Sequence, residues 1–401
     1  MPEHKQYIAE HLNDDIRDLV LKLKSKPSGL DVPFVIRQIA GRQVIKAKLP
    51  LWYANEALLF PEHISLEQCS SEWTAGYKAS LCGGESLVDL TGGFGVDCVA
   101  MSSRFKRTVY VERQEELCRL ARHNFVELGA GHIVVEQGNA EQYLRKMPKV
   151  DCIYIDPARR DRQGKKTVLL SDCTPDVAEL KDLLLEKASS VCIKLSPMLD
   201  ISLALQSLPE TREVHVVSVN NECKELLFLM KRENKEEDVR ICTANLKEKH
   251  PEQRFSFYRK EEQECWADFA RQVENYLYEP NVSLLKAGAY KILSRHFPIR
   301  KLHPDSHLYT SQSLVDEFPG RIFRVESVFP LQKKQCKEYL NGVKQANITV
   351  RNFPLSVDEL RKKTGLKAGG ETYLFATTLY GGEKVLVKCY RESVTSSGTF
   401  S

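Results

Sequence analysis

The feature that most constrains this chain is the segment Leu87-Val-Asp-Leu-Thr-Gly-Gly-Phe-Gly-Val-Asp97. A short apolar run carries one acid, Asp89. Gly92, Gly93 and Gly95 follow, and then a helical pattern of Val96, Val99 and Ala100 begins. This pattern predicts a buried strand that turns sharply into a helix, with glycine where the backbone turns tightly and a ligand approaches closely. An acid at the strand end suits hydroxyl and ammonium groups. A phosphate cradle would offer a lysine in G-x-x-x-x-G-K-[ST], which does not occur here. The turn therefore points to a nucleoside without a phosphate chain.

The following residues repeat the theme. Thr108-Val-Tyr-Val-Glu112 is a second β-branched strand ending in an acid. Glu112 lies 23 positions after Asp89 (112 − 89), near the roughly 20 at which a dinucleotide fold sets its ribose-binding acid. A helix is expected over about 115–128, closed by Gly129 and Gly131. Three more strands follow: His132–Glu136 leading to Gly138-Asn139-Ala140, Val150–Asp156 leading to Pro157-Ala-Arg159-Arg160, and Ser190–Leu195. Repeated β-α units with near-continuous apolar strands give a parallel sheet covered on both faces. Ligands bind such sheets at the carboxyl ends of the strands, where Asp89, Glu112, Asn139 and Asp156 fall. A nicotinamide dinucleotide would prefer G-x-G-x-x-G, and after Gly93-Phe-Gly95 the third glycine position is Cys98.

The ordered set Asp89/Gly93/Gly95, Glu112, Gly138-Asn139-Ala140 and Asp156-Pro157 resembles the class I S-adenosylmethionine (SAM)-dependent methyltransferases over about residues 84–231. The resemblance implies an α/β fold with a Rossmann-like, seven-stranded, mostly parallel sheet that closes with an antiparallel pair of strands. It implies SAM as cofactor, with Asp89, Thr91, Gly92, Gly93, Gly95 and Asp97 around its methionine part. Glu112 would grip the ribose, Asn139 and Ala140 would face the adenine, and Asp156 would line the same site. Thr91 stands where the family's first turn glycine is usual, and Asn139 where Asp is commoner.

Four regions are expected: a helical amino-terminal region (1–82), the methyltransferase domain (83–275), a small connecting module (276–320) and a terminal α/β unit (321–401). In the first, helices are predicted over His4–Lys26, Pro33–Ala47 and Ser65–Leu81, with an aromatic connector around Trp52 and Phe60. Glu261–Tyr278 reads as another helix. In the last, Arg321–Val328, Lys333–Gly342, Ala346–Val350 and Ser356–Thr364 read as strand, helix, strand and helix, before a hairpin around Tyr380-Gly-Gly382. Attached to a methyltransferase core, this order resembles the THUMP-like domain of a bacterial methyltransferase family, which implies RNA as partner. The charge agrees. Residues 281–401 hold 19 Lys and Arg against 10 Asp and Glu, a net +9, whereas the rest of the chain nets −5. Basic residues there recur beside aromatics, as in Arg300-Lys301, Arg321-Ile-Phe-Arg324 and Arg351-Asn-Phe353, the pairing that neutralises phosphates and stacks on unpaired bases.

No membrane span and no signal-peptide core is found. The 12 cysteines show no C-x-x-C and no zinc-ligand spacing, so reduced thiols, no metal and a cytoplasmic setting are expected. No oligomeric state follows from the sequence. Chemistry is expected at Asp156-Pro-Ala-Arg-Arg160. Methyltransferases acting on exocyclic base nitrogens typically read Asp/Asn/Ser-Pro-Pro-aromatic there. Asp156 and Pro157 match as the pair that holds the amine, while Ala158 and Arg159 depart from the pattern. Arg159 and Arg160 would grip a phosphate or stack on a base. The expected function is transfer of a methyl group to an RNA base nitrogen. A protein, small-molecule or DNA methyltransferase and a non-catalytic RNA-binding adaptor stay open.

Overall fold

A computed structural model describes residues 2–24, 29–159, 170–232, 238–247 and 252–392. The chain divides into two compact units, Met1–Val214 with Glu225–Glu236, and His215–Lys224 with Glu237–Ser401.

The first unit opens with helices α1 (Pro2–Glu10), α2 (Ile16–Lys24), α3 (Val32–Ile45), α4 (Pro50–Ala54), α5 (His63–Gln68) and α6 (Glu72–Leu81). Two helices expected to be continuous are broken, and side-chain caps break them. Asp15 Oδ1 accepts the Arg17 N–H at 2.8 Å and starts α2 afresh. Ser71 starts α6, its Oγ accepting the Thr74 N–H at 3.2 Å. Short polar side chains satisfy orphan amides at a helix start better than they serve a helix interior. The connector aromatics Trp52 and Phe60 are buried against Phe94 and Val96.

The sheet then alternates with helices: β1 (Gly84–Asp89), α7 (Val96–Ser102), β2 (Phe105–Glu112), α8 (Glu115–Glu127), β3 (Ile133–Gln137), α9 (Ala140–Lys146) and β4 (Val150–Ile155). Two short strands, β5 (Ala158–Arg159) and β6 (Cys173–Thr174), pair with each other. The series resumes with α10 (Val177–Lys187), β7 (Ala188–Leu195), α11 (Ile201–Ser207), β8 (Thr211–Val219) and β9 (Glu222–Lys231). The order β9-β7-β4-β1-β2-β3 is parallel throughout except for β9, which runs against β7. Asn220 and Asn221, at φ 50° and 64°, turn β8 into β9, the two-residue hairpin turn that Asn accommodates. With β8 these make the seven expected strands. Cys152 to Ile155 are all at or below 1% exposure, and burying each large apolar side chain of such a strand contributes about 1.5–3 kcal/mol. The parallel register (Asp89 beside Tyr110, Glu112 beside Gln137, Ile155 beside Ile193) brings the strand ends to one edge.

In the second unit, β10 (Arg240–Leu246) and β11 (Gln253–Tyr258) form an antiparallel pair in a stretch that the sequence presents only as highly charged. The helix expected over Glu261–Tyr278 is instead α12 (Arg259–Glu264), a loop, and β12 (Tyr276–Pro280). Within that loop Ala270 N–H donates to Lys301 O at 2.9 Å and Lys301 N–H to Asp268 O at 2.7 Å. A partner distant in sequence thus takes the backbone bonds a helix would have needed.

The chain continues through α13 (Val282–Ala287), α14 (Leu293–His296), β13 (Arg300–Lys301), β14 (Tyr309–Ser311), β15 (Gly320–Pro330), α15 (Lys333–Tyr339), β16 (Asn347–Arg351), α16 (Val357–Thr364), β17 (Thr372–Thr378) and β18 (Lys384–Arg391). A seven-stranded sheet takes the order β13-β14-β12-β15-β18-β17-β16. Phe323, Phe375 and Leu277 pack on one of its faces, and Leu360, Leu374 and Leu386 on the other, under α15 and α16. Ser356 begins α16 with a reciprocal cap: its N–H donates to Glu359 Oε2 at 2.8 Å and its Oγ accepts the Glu359 N–H at 3.3 Å. No helix among the described residues is long and apolar enough to cross a membrane. No disulfide joins the cysteines.

Candidate active site at the strand ends

The turn after β1 is shaped from below by two aromatic rings. The Gly92 N–H donates to Val111 O at 2.9 Å and the Gly95 N–H to Gly92 O at 2.9 Å. The Tyr110 hydroxyl donates to Gly93 O at 2.5 Å. A Cβ on Gly92 would stand 2.1 Å from the Tyr110 ring, and one on Gly95 2.7 Å from the Phe125 ring. The close approach that requires glycine at these two positions is therefore made by the protein's own core. Gly95, at φ 90°, needs glycine for its backbone as well, and Gly93, at φ 55°, needs it for that reason alone, since its Cβ position meets nothing nearer than a backbone oxygen 3.8 Å away. Gly92→Ala is expected to cost about 1–3 kcal/mol by overpacking, read as a fall in Tm. Gly138→Ala, whose Cβ would meet nothing within 4 Å, should stay within about 0.5 kcal/mol.

Three carboxylates gather around this turn. Asp89 is 1% exposed; its Oδ1 accepts the Thr91 N–H at 3.0 Å and its Oδ2 has no partner among the described residues. Burial pushes its carboxyl well above the usual range, and the negative charges of Asp97, Asp156 and Glu112 add to this while the Thr91 amide opposes it. Glu112, buried at the end of β2, accepts the Gly93 N–H on Oε2 at 3.0 Å and the Gln114 N–H on Oε1 at 2.9 Å. Each oxygen keeps a second lone pair for a ligand hydroxyl. Asp156 follows β4. Its N–H donates to Thr91 Oγ1 at 2.6 Å, its Oδ2 lies 2.5 Å from Lys194 Nζ, and its side chain is 34% exposed. Thr91, in the place of a turn glycine, thus ties the turn to the loop after β4. Pro157 is buried beside it.

The remaining expected residues are set as follows. Asn139 caps α9, with Oδ1 accepting the N–H groups of Glu141 at 2.9 Å and Gln142 at 3.2 Å, so its Nδ2 stays outside the cap; Ala140 opens that helix. Asp97, in the first turn of α7, faces inward. Its Oδ2 accepts the Tyr154 hydroxyl at 2.7 Å and the Ser70 hydroxyl at 2.8 Å, and its Oδ1 lies 3.2 Å from Lys78 Nζ. Burial opposes its charge, but Lys78, Lys194 and those hydroxyls hold the carboxyl below its usual range. The backbone of Arg159 pairs with Cys173; Arg160 lies outside the described residues.

Sequence reasoning misses the cations beneath these acids. Lys78 of α6 is fully buried, with Nζ 2.6 and 2.7 Å from the two carboxylate oxygens of Glu225 on β9 and 3.0 Å from Ser70 Oγ. Burial raises the Glu225 carboxyl above its ordinary value against the pull of Lys78 and Lys194. The available signal is a lone charge inside an apolar strand: Lys194 in Val191-Cys-Ile-Lys-Leu195, and Glu225 directly before Leu226–Met230. Such a residue is almost never buried unpaired.

In the second unit, the basic residues that the sequence sets beside aromatics are mostly engaged internally. Arg321 and Arg351 both pair with Glu279, which is 4% exposed, and Arg300 pairs with Glu274. Lys301 is buried, its Nζ donating to Pro304 O at 2.7 Å, and burial lowers its ammonium to about 8. Solvent-facing lysines lie elsewhere: Lys333, Lys334 and Lys337 on α15, Lys362 and Lys363 on α16, and Lys367 after it.

Comparison with known proteins adds the lineage. Residues 320–391 match a family model described as THUMP domain-like, and residues 276–319 one described as a ferredoxin-like domain. The solved structure of a "putative methyltransferase" from Porphyromonas gingivalis W83 is 35% identical, covers 98% of both chains, and superposes with a TM-score of 0.87. Partial likenesses include an O-methyltransferase from Bacillus cereus in complex with SAH (13% identity, 47% of this chain and 100% of that one, TM-score 0.33). Another is an rRNA methylase from Streptococcus thermophilus (12% identity, 40% and 95%, TM-score 0.30). Among curated proteins there is no match. With one relative alike over nearly its whole length and a THUMP-like model at its carboxyl end, this chain belongs to the class I SAM-dependent methyltransferase family that carries a carboxyl-terminal THUMP-like domain.

Proposed function

We propose that this protein is a SAM-dependent methyltransferase acting on a base nitrogen of RNA. The observation that carries the reading is the open carboxylate of Asp156, beside the glycine turn and at the same sheet edge as Glu112. The cofactor fits the residues present. Asp89 has a buried oxygen without a partner among the described residues, and its charge is disfavoured first by burial and then by three neighbouring acids, so a cation at this edge would favour the charged form. When bound, SAM supplies a methyl group on an electron-poor, positively charged sulfur. Glu112 would accept the ribose hydroxyls on lone pairs that the turn amides leave free. The amide nitrogen of Asn139, outside the helix cap, would donate to the adenine edge, with Ala140 beside it. The backbone of Thr91 to Gly95 would run beneath the methionine part. Asp89 and Asp97, both buried, would act on its charge through space.

Asp156 then orients the acceptor. A carboxylate that accepts a hydrogen bond from an amine turns the nitrogen lone pair toward the methyl group, and such in-line positioning lowers the barrier without covalent assistance. Pro157 would add its carbonyl as a second acceptor, and Arg159 and Arg160 would grip a substrate phosphate. RNA as acceptor draws its support from the THUMP-like match and from the exposed lysines of α15 and α16, since lysines neutralise phosphates.

Tritiated SAM is to be incubated with total RNA, DNA and protein from a strain lacking the gene, followed by nucleoside analysis. Label in an RNA nucleoside is expected. Label only in DNA, protein or small molecules would replace the acceptor, and SAM binding without transfer would favour an adaptor. Asp156→Asn is expected to lower transfer about 100-fold or more while SAM affinity, measured by calorimetry, changes less than about tenfold.

A further inference from the structure

We propose that Lys194 is a positioning residue for the transfer step: it fixes one oxygen of Asp156 and so leaves the other as the acceptor for the substrate amine. This rests on the methyltransferase reading above. Lys194 lies one residue before the end of β7, the strand beside β4. Its Nζ is 2.5 Å from Asp156 Oδ2, with only 14% of its side chain exposed. Oδ1 of Asp156 makes no hydrogen bond among the described residues, and the side chain is 34% exposed on that edge. A free carboxylate swings about its last torsion and presents either oxygen. One held at Oδ2 by an ammonium and at its own backbone by Thr91 Oγ1 presents Oδ1 in a single direction.

Lys194 is held in turn. Burial alone would depress its ammonium, but Asp156, Asp97 and Glu225 together push it well above the usual lysine range. Asp97 and Glu225 are themselves fixed, by Lys78, Ser70 and Tyr154. The acids around Lys194 therefore favour the charged form of its ammonium. It takes no part in bond making and acts only through Asp156. The buried cluster is a support that keeps a catalytic carboxylate oriented, which is the general requirement for a preorganised site.

The test is a double-mutant cycle on the full chain, with tritiated SAM and total RNA from the deletion strain as the acceptor. Lys194→Met is expected to lower kcat about 10–100-fold, the effect of losing one charge-assisted hydrogen bond, with KM for SAM unchanged or lower, because a positive charge near a cationic cofactor has gone. Lys194→Arg should restore most of the rate. In an Asp156→Asn background the same Lys194→Met change should alter the rate less than about threefold, since a residue acting through Asp156 has nothing left to position. A merely structural lysine would instead raise KM, lower Tm in proportion to the lost rate, and add its full effect in the Asp156→Asn background; that result would overturn the proposal. Full activity of Lys194→Met beside an active wild type would overturn it too and leave the methyltransferase reading standing. Absence of transfer by the wild type would overturn both.

Discussion

Lys78→Met is expected to destabilise the protein by about 3–5 kcal/mol, the effect of breaking a buried ion pair from one side. The lysine is completely buried, and its ammonium donates to both oxygens of Glu225 and to Ser70 Oγ while lying 3.2 Å from Asp97. Methionine fills much of the same volume, so the loss is electrostatic: two buried carboxylates are left facing one another, with Lys194 as the cation that still acts on both. Urea denaturation should therefore give a lower midpoint. If the uncompensated charge is the cause, Lys78→Met with Glu225→Leu should recover much of the loss, because removing both members of a buried pair is far less costly than removing one. A loss below about 1 kcal/mol for Lys78→Met would mean that the cluster is hydrated and not the dry network described.

Glu112→Ala is expected to weaken SAM binding by about 100-fold or more, measured by calorimetry. A carboxylate bonded to two ribose hydroxyls contributes about 1.5–3 kcal/mol per bond, and alanine supplies neither. The same carboxylate also anchors the Gly93 and Gln114 amides, so part of the loss comes from a looser turn. The two parts separate by temperature: the anchoring part lowers Tm of the free protein, the ribose part lowers only the shift in Tm on adding SAM. Unaltered affinity in Glu112→Ala would remove Glu112 from the site, and a wild type that fails to bind SAM would remove the cofactor.

The salt dependence of RNA binding checks the second unit. Replacing Lys333, Lys334 and Lys337 together should weaken affinity for total RNA at all sequences and flatten the log-affinity against log-salt slope by about 2–3. Arg321→Ala and Arg351→Ala, whose side chains are taken by Glu279, should mainly lower Tm. A flat response to the triple lysine change would count against α15 as the phosphate-facing element.

How much was legible follows from which forces are local. The alternation of strands and helices from Leu87 to Leu195, the acids at the strand ends and the helix over Ser356–Thr364 could be read directly, because each depends on periodicity, backbone conformation or a side chain reaching its own neighbourhood. The THUMP-like order of elements was legible for the same reason. The helix breaks at Asp15 and Ser71 were written in the sequence too, as caps inside an otherwise continuous apolar pattern. The loop over 265–275 was not, since its backbone partner Lys301 lies far along the chain; the strand at Arg240–Leu246, whose partner Gln253–Tyr258 is near, was hidden by the charged stretches around it.

The tertiary structure alone decided what the glycines and charges are for. Gly92 and Gly95 make room for Tyr110 and Phe125, rings that only sheet register and helix packing bring beneath the turn. Asp97 turns inward to Lys78 and Tyr154, and Asp156 is held by Lys194, 38 residues away. Arg321 and Arg351 turn to Glu279. Backbone preference acts over a few residues and is written in each segment. A buried charge takes its meaning from whatever opposite charge the fold sets within about 4 Å of it, and the chain does not encode that distance until it has folded.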